Sequence, residues 1–176
     1  MARKVEIVPY DLAWPDTFRA EIRQIGGVVG ANLVSAHHIG STAVPGLAAK
    51  PTIDILLVVH DIDLLDACND QMSALGYQPK GEHGISGRRY FQKLDGTIHL
   101  VHIHAFETNH SEIKRYINFR DYLIAHPETA KAYQDLKHKL SVRFKDKPAD
   151  YTAGKEAFIR GVDQRATAWR VEENEE

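Results

Sequence analysis

The stretch that decides the fold is His37–Val59, HHIGSTAVPGLAAKPTIDILLVV. A strand signal, Val34–Gly40, runs into it and stops at the glycine. A Gly-Ser-Thr turn follows. Pro51–His60 (PTIDILLVVH) is then apolar nearly throughout, the pattern of a central strand covered on both faces. One carboxylate, Asp54, interrupts that run. A charge in an apolar setting needs a partner or a cation. Asp54 therefore either stands at the rim of a cleft and binds something, or caps a structural hydrogen-bond network. Gly40, Ser41 and Thr42 bear on the choice. Backbone N–H groups in such a turn can converge on an anion, and the two hydroxyls add donors. A Gly-Ser pair is common in loops, so the turn alone decides nothing.

Outward from this stretch the chain alternates element types. Val5–Asp11 (VEIVPYD) alternates in polarity and predicts a short edge segment ending at Pro9. AWPDTFRAEIRQIGGVVGANL predicts a helix, with Pro15 early and Phe18, Ile22 and Ile25 at helical spacing. DIDLLDACNDQMSALG predicts one helix capped by Asp61 or Asp63 and ended by Gly76. YQPKGEHGISGRR reads as a mobile, glycine-rich loop. Arg88–Leu94, the turn Asp95–Gly96 and Thr97–Phe106 predict a β-hairpin. Three helices follow, the first stopping before Pro127 and the second before Pro148. The third frays into VEENEE. Strands with helices interposed, then a helical C-terminal third, give an α+β (mixed α/β) domain with helices against one sheet.

A chain of 176 residues with formal charge −2 predicts one domain spanning 1–176. It lacks the basic footprint of a protein held to nucleic acid by bulk charge. The opening MARKVEIVPYD turns polar at once, unlike a signal peptide. The longest apolar run, Ile53–Val59, is too short to span a bilayer. The single cysteine, Cys68, forbids an internal disulfide and fits a reducing compartment. Together these predict a cytoplasmic protein with no membrane partner.

HLVHIHAF carries the second chemical signal. Strand alternation puts His102 and His104 on one face and His99 on the other. Two imidazoles so spaced can reach a metal or an anionic substrate. The alternative is a pair of half-buried strand residues with backbone partners. A metal trio with Asp54 requires the two strands to be neighbours. Lys50, Arg88, Arg89, Arg115, Arg120 and Lys155 are candidate phosphate contacts. Arg88 and Arg89 stand out because they follow the glycine-rich loop and open the hairpin. Arg120 reads equally as a helix-packing salt bridge, and Lys155 as an exposed helix lysine. No G-x-S-x-G, Walker A loop, G-x-G-x-x-G or His-Glu-x-x-His is present.

Taken in order, HIGSTAVPGLAAKPTIDILL, RRYF, HIH, FRDYLIAHPETAKAYQDLK and YTAGKEAFI closely resemble the GrpB family of bacterial proteins. The same domain is also fused to dephospho-CoA kinase. The resemblance implies a nucleotidyltransferase-like mixed sheet flanked by helices. In active members of that superfold a Gly-Ser turn holds the triphosphate, and paired carboxylates hold two Mg²⁺ ions. Gly40 and Ser41 match the turn, and Asp54 matches the first carboxylate. The second falls at Leu56, and the His102–Ile103–His104 strand takes the place of the neighbouring strand that gives active members a third acid. Nitrogen ligands suit Zn²⁺ or Mn²⁺ better than Mg²⁺, or imidazolium facing phosphate with no metal. The resemblance thus implies a protein that binds a nucleotide or another phosphorylated small molecule. Asp54, His102 and His104 would be catalytic residues or ligands to a divalent metal (Mg, Mn or Zn), supporting metal-dependent nucleotidyl transfer. A non-catalytic ligand-binding or regulatory module, and phosphate ester hydrolysis in the same pocket, are the alternatives.

Overall fold

The structure, a computed structural model, describes residues 4–175. The opening stretch builds its centre. β1 (Leu33–Ile39) pairs antiparallel with β2 (Ile53–Val59), which pairs in parallel with β5 (Ile98–Glu107). β4 (Arg89–Asp95) and the short β3 (Tyr77–Pro79) complete a mixed sheet in the order β1-β2-β5-β4-β3. The hairpin is β4–β5, and β2 is internal, as its apolar run requires.

Alternation along β2 explains the lone carboxylate. Ile53, Ile55, Leu57 and Val59 join Val101, Ile103 and Ala105 of β5 in the larger core. α1 (Trp14–Val29), α2 (Ile62–Asp66) and α3 (Asn69–Ala74) cover that face. Leu56 and Val58 point to the other face. There they pack with Phe106 against Ile113, Tyr116 and Ile117 of α4 (Ser111–Ala125). Each fully buried aliphatic side chain contributes about 1.5–3 kcal/mol, so the register of β2 is strongly fixed. Asp54 begins this second row, where the apolar packing gives way to a cavity.

α5 (Pro127–Arg143) and α6 (Pro148–Glu175) form the helical third. Each opens on a proline, whose missing N–H costs nothing at a first helical position. They pack with α4 through Tyr122, Leu123, Tyr133, Val162 and Ala166. Gly154 permits the close crossing of α5 and α6. A Cβ there would lie 2.7 Å from the Leu140 side chain.

Four local expectations differ from the structure. Val5–Asp11 forms one bridge, Val8 with Ala49, rather than a strand. Pro9 offers no N–H to extend it. The segment after β2 is two short helices that break at Ala67 and Cys68. Asp61 caps the first, accepting from the N–H of Asp63 at 2.8 Å and of Leu64 at 3.1 Å. Tyr77–Pro79, read as loop, is an edge strand on β4. α6 continues through Glu175 rather than fraying from Val171, and residue 176 lies outside the described residues. Among the described residues no helix is long and apolar enough to cross a membrane.

Candidate functional site

A cavity of about 460 Å³ lies between the Asp54 end of the sheet and the helical third. It brings together most of the residues singled out from sequence. Gly40, Ser41, Thr42, Lys50, Asp54, His102, His104, Arg115 and Lys155 all line it. Arg88, Arg89 and Arg120 do not.

The sheet wall is a chain of paired polar atoms. The parallel register sets Asp54 beside His102, so the two strands are neighbours. Asp54 Oδ1 lies 3.5 Å from His102 Nδ1 and 3.4 Å from His104 Nε2. Burial works against the charged carboxylate, but the two imidazoles outweigh it and hold Asp54 well below the usual carboxylate range. Its other oxygen packs under the turn. A Cβ on Gly40, which has φ +73, would sit 2.7 Å from Asp54 Oδ2. Only glycine gives both that backbone conformation and that approach.

His99 departs from the expected alternation. Its Nδ1 lies 2.7 Å from His102 Nε2. The register of β4 on β5 slips between Lys93 and Leu94, leaving Leu100 unopposed. This bulge turns His99 onto the face of His102. On the far side, His104 Nδ1 faces Arg88 Nη1 at 3.4 Å and the Tyr116 hydroxyl at 3.3 Å. Arg88 is itself buried. It donates to the carbonyls of Glu82, at 3.1 Å, and His83.

The expected metal trio does not fit. Among the described residues, no group of three His, Cys, Asp or Glu side chains is arranged to hold a metal ion. Asp54 presents one oxygen to two ring nitrogens and packs the other against Gly40. Leu56, at the second carboxylate's place, is fully buried.

The helical wall is cationic and aromatic, and it holds the residues that sequence reasoning missed. Lys137 of α5 is 2% exposed. Its Nζ donates to the Ala48 carbonyl at 2.6 Å and lies 4.7 Å from the Tyr133 ring centre. Burial, with Lys155 and Lys50 nearby, pushes this ammonium down to about 7. Among the described residues no carboxylate pairs with it. Lys50 and Lys155 both lie over the Tyr151 ring, at 5.2 and 4.6 Å. Burial pushes the Tyr133 hydroxyl up to about 12, with Ser41 acting against the shift. The signal for Lys137 was legible. Ala130, Tyr133, Lys137 and Leu140 share one helix stripe by spacing, and a lysine in a buried stripe is anomalous.

The three arginines outside the cavity are otherwise engaged. Arg89 points to the opposite side of the sheet and forks onto Asp66 at 2.7 and 2.8 Å. Arg120 donates to the His38 carbonyl at 3.1 Å and to Asp121 at 2.8 Å, the helix-packing alternative. Arg88 touches the site only through His104. Arg115 lines the cavity with its charge already paired to Glu112, at 2.9 Å, and to Asp163, at 3.3 Å.

Comparison with known proteins agrees with this architecture. A family model described as GrpB protein matches residues 4–165. The UPF0157 protein YqkA of Bacillus subtilis is 42% identical over 172 residues, 98% of this chain and 50% of YqkA. The chain thus spans about half the length of that relative. It spans 69% of the UPF0157 protein PA4798 of Pseudomonas aeruginosa, at 37% identity. Dephospho-CoA kinase of Mycobacterium tuberculosis is 29% identical over a segment that covers 93% of this chain and 46% of that protein. The crystal structure of the conserved protein GrpB from Enterococcus faecalis superposes with a TM-score of 0.89. It is 35% identical and aligns over 93% of this chain and 99% of its own. The likeness to Cid1 poly(U) polymerase, with a TM-score of 0.46 at 10% identity, is too slight to bear on chemistry.

Proposed function

The chain belongs to the GrpB family, and we propose that its cleft binds a nucleotide or another phosphorylated small molecule. One observation carries this reading. The cavity gathers Lys50, Lys137 and Lys155 from three separate segments, and the Gly40–Thr42 turn lines it too. Lysines act as compact charges for phosphate. A buried ammonium without a carboxylate is costly unless an anion compensates it. The anion would sit between the lysines and the Ser41 hydroxyl.

A thermal-shift screen of nucleotides, CoA precursors and inorganic phosphates, with and without divalent cations, tests this. Relatives named dephospho-CoA kinase carry a matching segment, which is why CoA precursors belong in the screen. At a hundredfold excess over Kd, binding adds ~2.7 kcal/mol, a rise of about 5–10 °C for a domain of this size. No shift with any of these ligands overturns the reading. Nucleotidyl transfer is the second reading, favoured by Asp54 and Ser41 lining one cavity. Its signature is pyrophosphate release from a nucleoside triphosphate, lost in Asp54→Asn while the ligand-induced shift persists.

A further inference from the structure

We infer that Arg88 is a positioning residue that, acting through His104, closes the Asp54–His102–His104 group to metal ions. The inference goes beyond the ligand-binding reading and stands without it. It follows from counting donors. A guanidinium can only donate. Arg88 Nη1 lies 3.4 Å from His104 Nδ1, and its orientation is fixed by the Glu82 and His83 carbonyls. His104 Nδ1 must therefore offer its lone pair. The Tyr116 hydroxyl, 3.3 Å from the same nitrogen, donates to it as well. A neutral imidazole with an accepting Nδ1 carries its proton on Nε2. That N–H faces Asp54 Oδ1. The nitrogen a metal would need is thus occupied by hydrogen.

The other side of the carboxylate follows the same rule. His102 Nδ1 faces Asp54 and its Nε2 faces His99 Nδ1. The ionised Asp54 can only accept, so His102 Nδ1 carries its proton toward Asp54 and Nε2 accepts from His99 Nδ1. All hydrogen bonds then point inward, from His99 through His102 and from Arg88 through His104, onto one oxygen. The bulge brings His99 to His102, and the Glu82 and His83 carbonyls hold Arg88 against His104. To ligate a metal, His104 would have to move its proton to Nδ1, against the Arg88 guanidinium. Hydrogen-bond partners on the far side of the ring decide which nitrogen of a histidine is available.

Two measurements on the full chain test this without any phosphorylated ligand, so a failed ligand screen leaves it standing. The first needs no variant. Long-range proton–nitrogen correlation on histidine-labelled protein reads the tautomer of His104 directly. The expected result is a protonated Nε2 and a bare Nδ1. A protonated Nδ1 overturns the inference. The second is titration with Co²⁺, followed by its visible absorption. The wild type is expected to show no stoichiometric site. Arg88→Leu is expected to bind Co²⁺ roughly tenfold or more tightly than the wild type, an increase lost in Arg88→Leu with His104→Ala. A stoichiometric wild-type site that disappears in Asp54→Asn overturns the inference. So does an Arg88→Leu protein, shown folded by its melting transition, whose Co²⁺ affinity is unchanged.

Discussion

On the sheet wall of the cleft, Asp54 is surrounded at short range by His102, His104 and the Gly40 backbone. On the helical wall, Lys137 is the more deeply buried of the two, yet its only hydrogen bond among the described residues is to the Ala48 carbonyl. The Asp54 charge is held firmly by its neighbours, whereas the Lys137 ammonium is pushed down to about 7. Stability alone does not account for the helical wall, because an apolar residue of lysine's size in that stripe would cost less. The difference separates the two parts of the cleft by role. The sheet wall holds its carboxylate among close polar neighbours. On the proposed reading, the wall carrying Lys137 is where an anion binds.

Three changes would break or sharpen this contrast. Gly40→Ala has the largest expected effect. The added Cβ would meet Asp54 Oδ2 at 2.7 Å, in a backbone conformation suited to glycine. Strain and overpacking together cost about 4 kcal/mol, read as a lower midpoint in urea unfolding. A melt unchanged from wild type would show that Asp54 is not packed under the turn.

His38 is next. It stacks on Phe18, and its Nε2 lies 2.9 Å from Thr42 Oγ1. Burial lowers it to about 4 and Arg120 adds to the shift, while Asp54 opposes it. The fold therefore keeps His38 neutral, whereas the unfolded chain protonates it near 6.5. Its contribution is complete above about 6.5 and is lost as pH falls toward about 4, up to ~3 kcal/mol. His38→Gln should flatten unfolding free energy over that window. An unchanged slope would place the imidazole in water.

Arg89→Met is the smallest. Its ion pair with Asp66 is partly exposed, on the far side of the sheet. Surface pairs of this kind contribute less than about 1 kcal/mol, and ligand-induced stabilisation should be unchanged. A loss of that stabilisation would return Arg89 to the site.

Much of this was legible in the sequence because it rests on short-range periodicity. The apolar run of β2, the Asp95–Gly96 hairpin turn and the prolines at Pro127 and Pro148 each act locally. The gathering of Gly40–Thr42, Asp54, His102 and His104 followed from the family resemblance. What escaped depends on register or on tertiary position. His99 changes face because Leu100 is unopposed across two strands, which a period-two reading of one strand cannot show. The helix after β2 breaks without any glycine or proline to mark it. Arg88 and Arg89 are adjacent in sequence, yet one reaches His104 and the other reaches Asp66 across the sheet. Lys137 carried a visible anomaly, a cation on a buried stripe, that composition alone hides among the other lysines of α5.

The central proposal is that the lysine wall of the cleft binds the phosphate of a ligand. Calorimetric titration of inorganic tripolyphosphate, in the presence of EDTA, tests it on wild type and on Lys137→Met. The account predicts one equivalent bound by the wild type and an affinity lower by about 10–100-fold in the variant, with the variant's melting temperature undiminished. No binding by the wild type, or equal binding by both proteins, would contradict it.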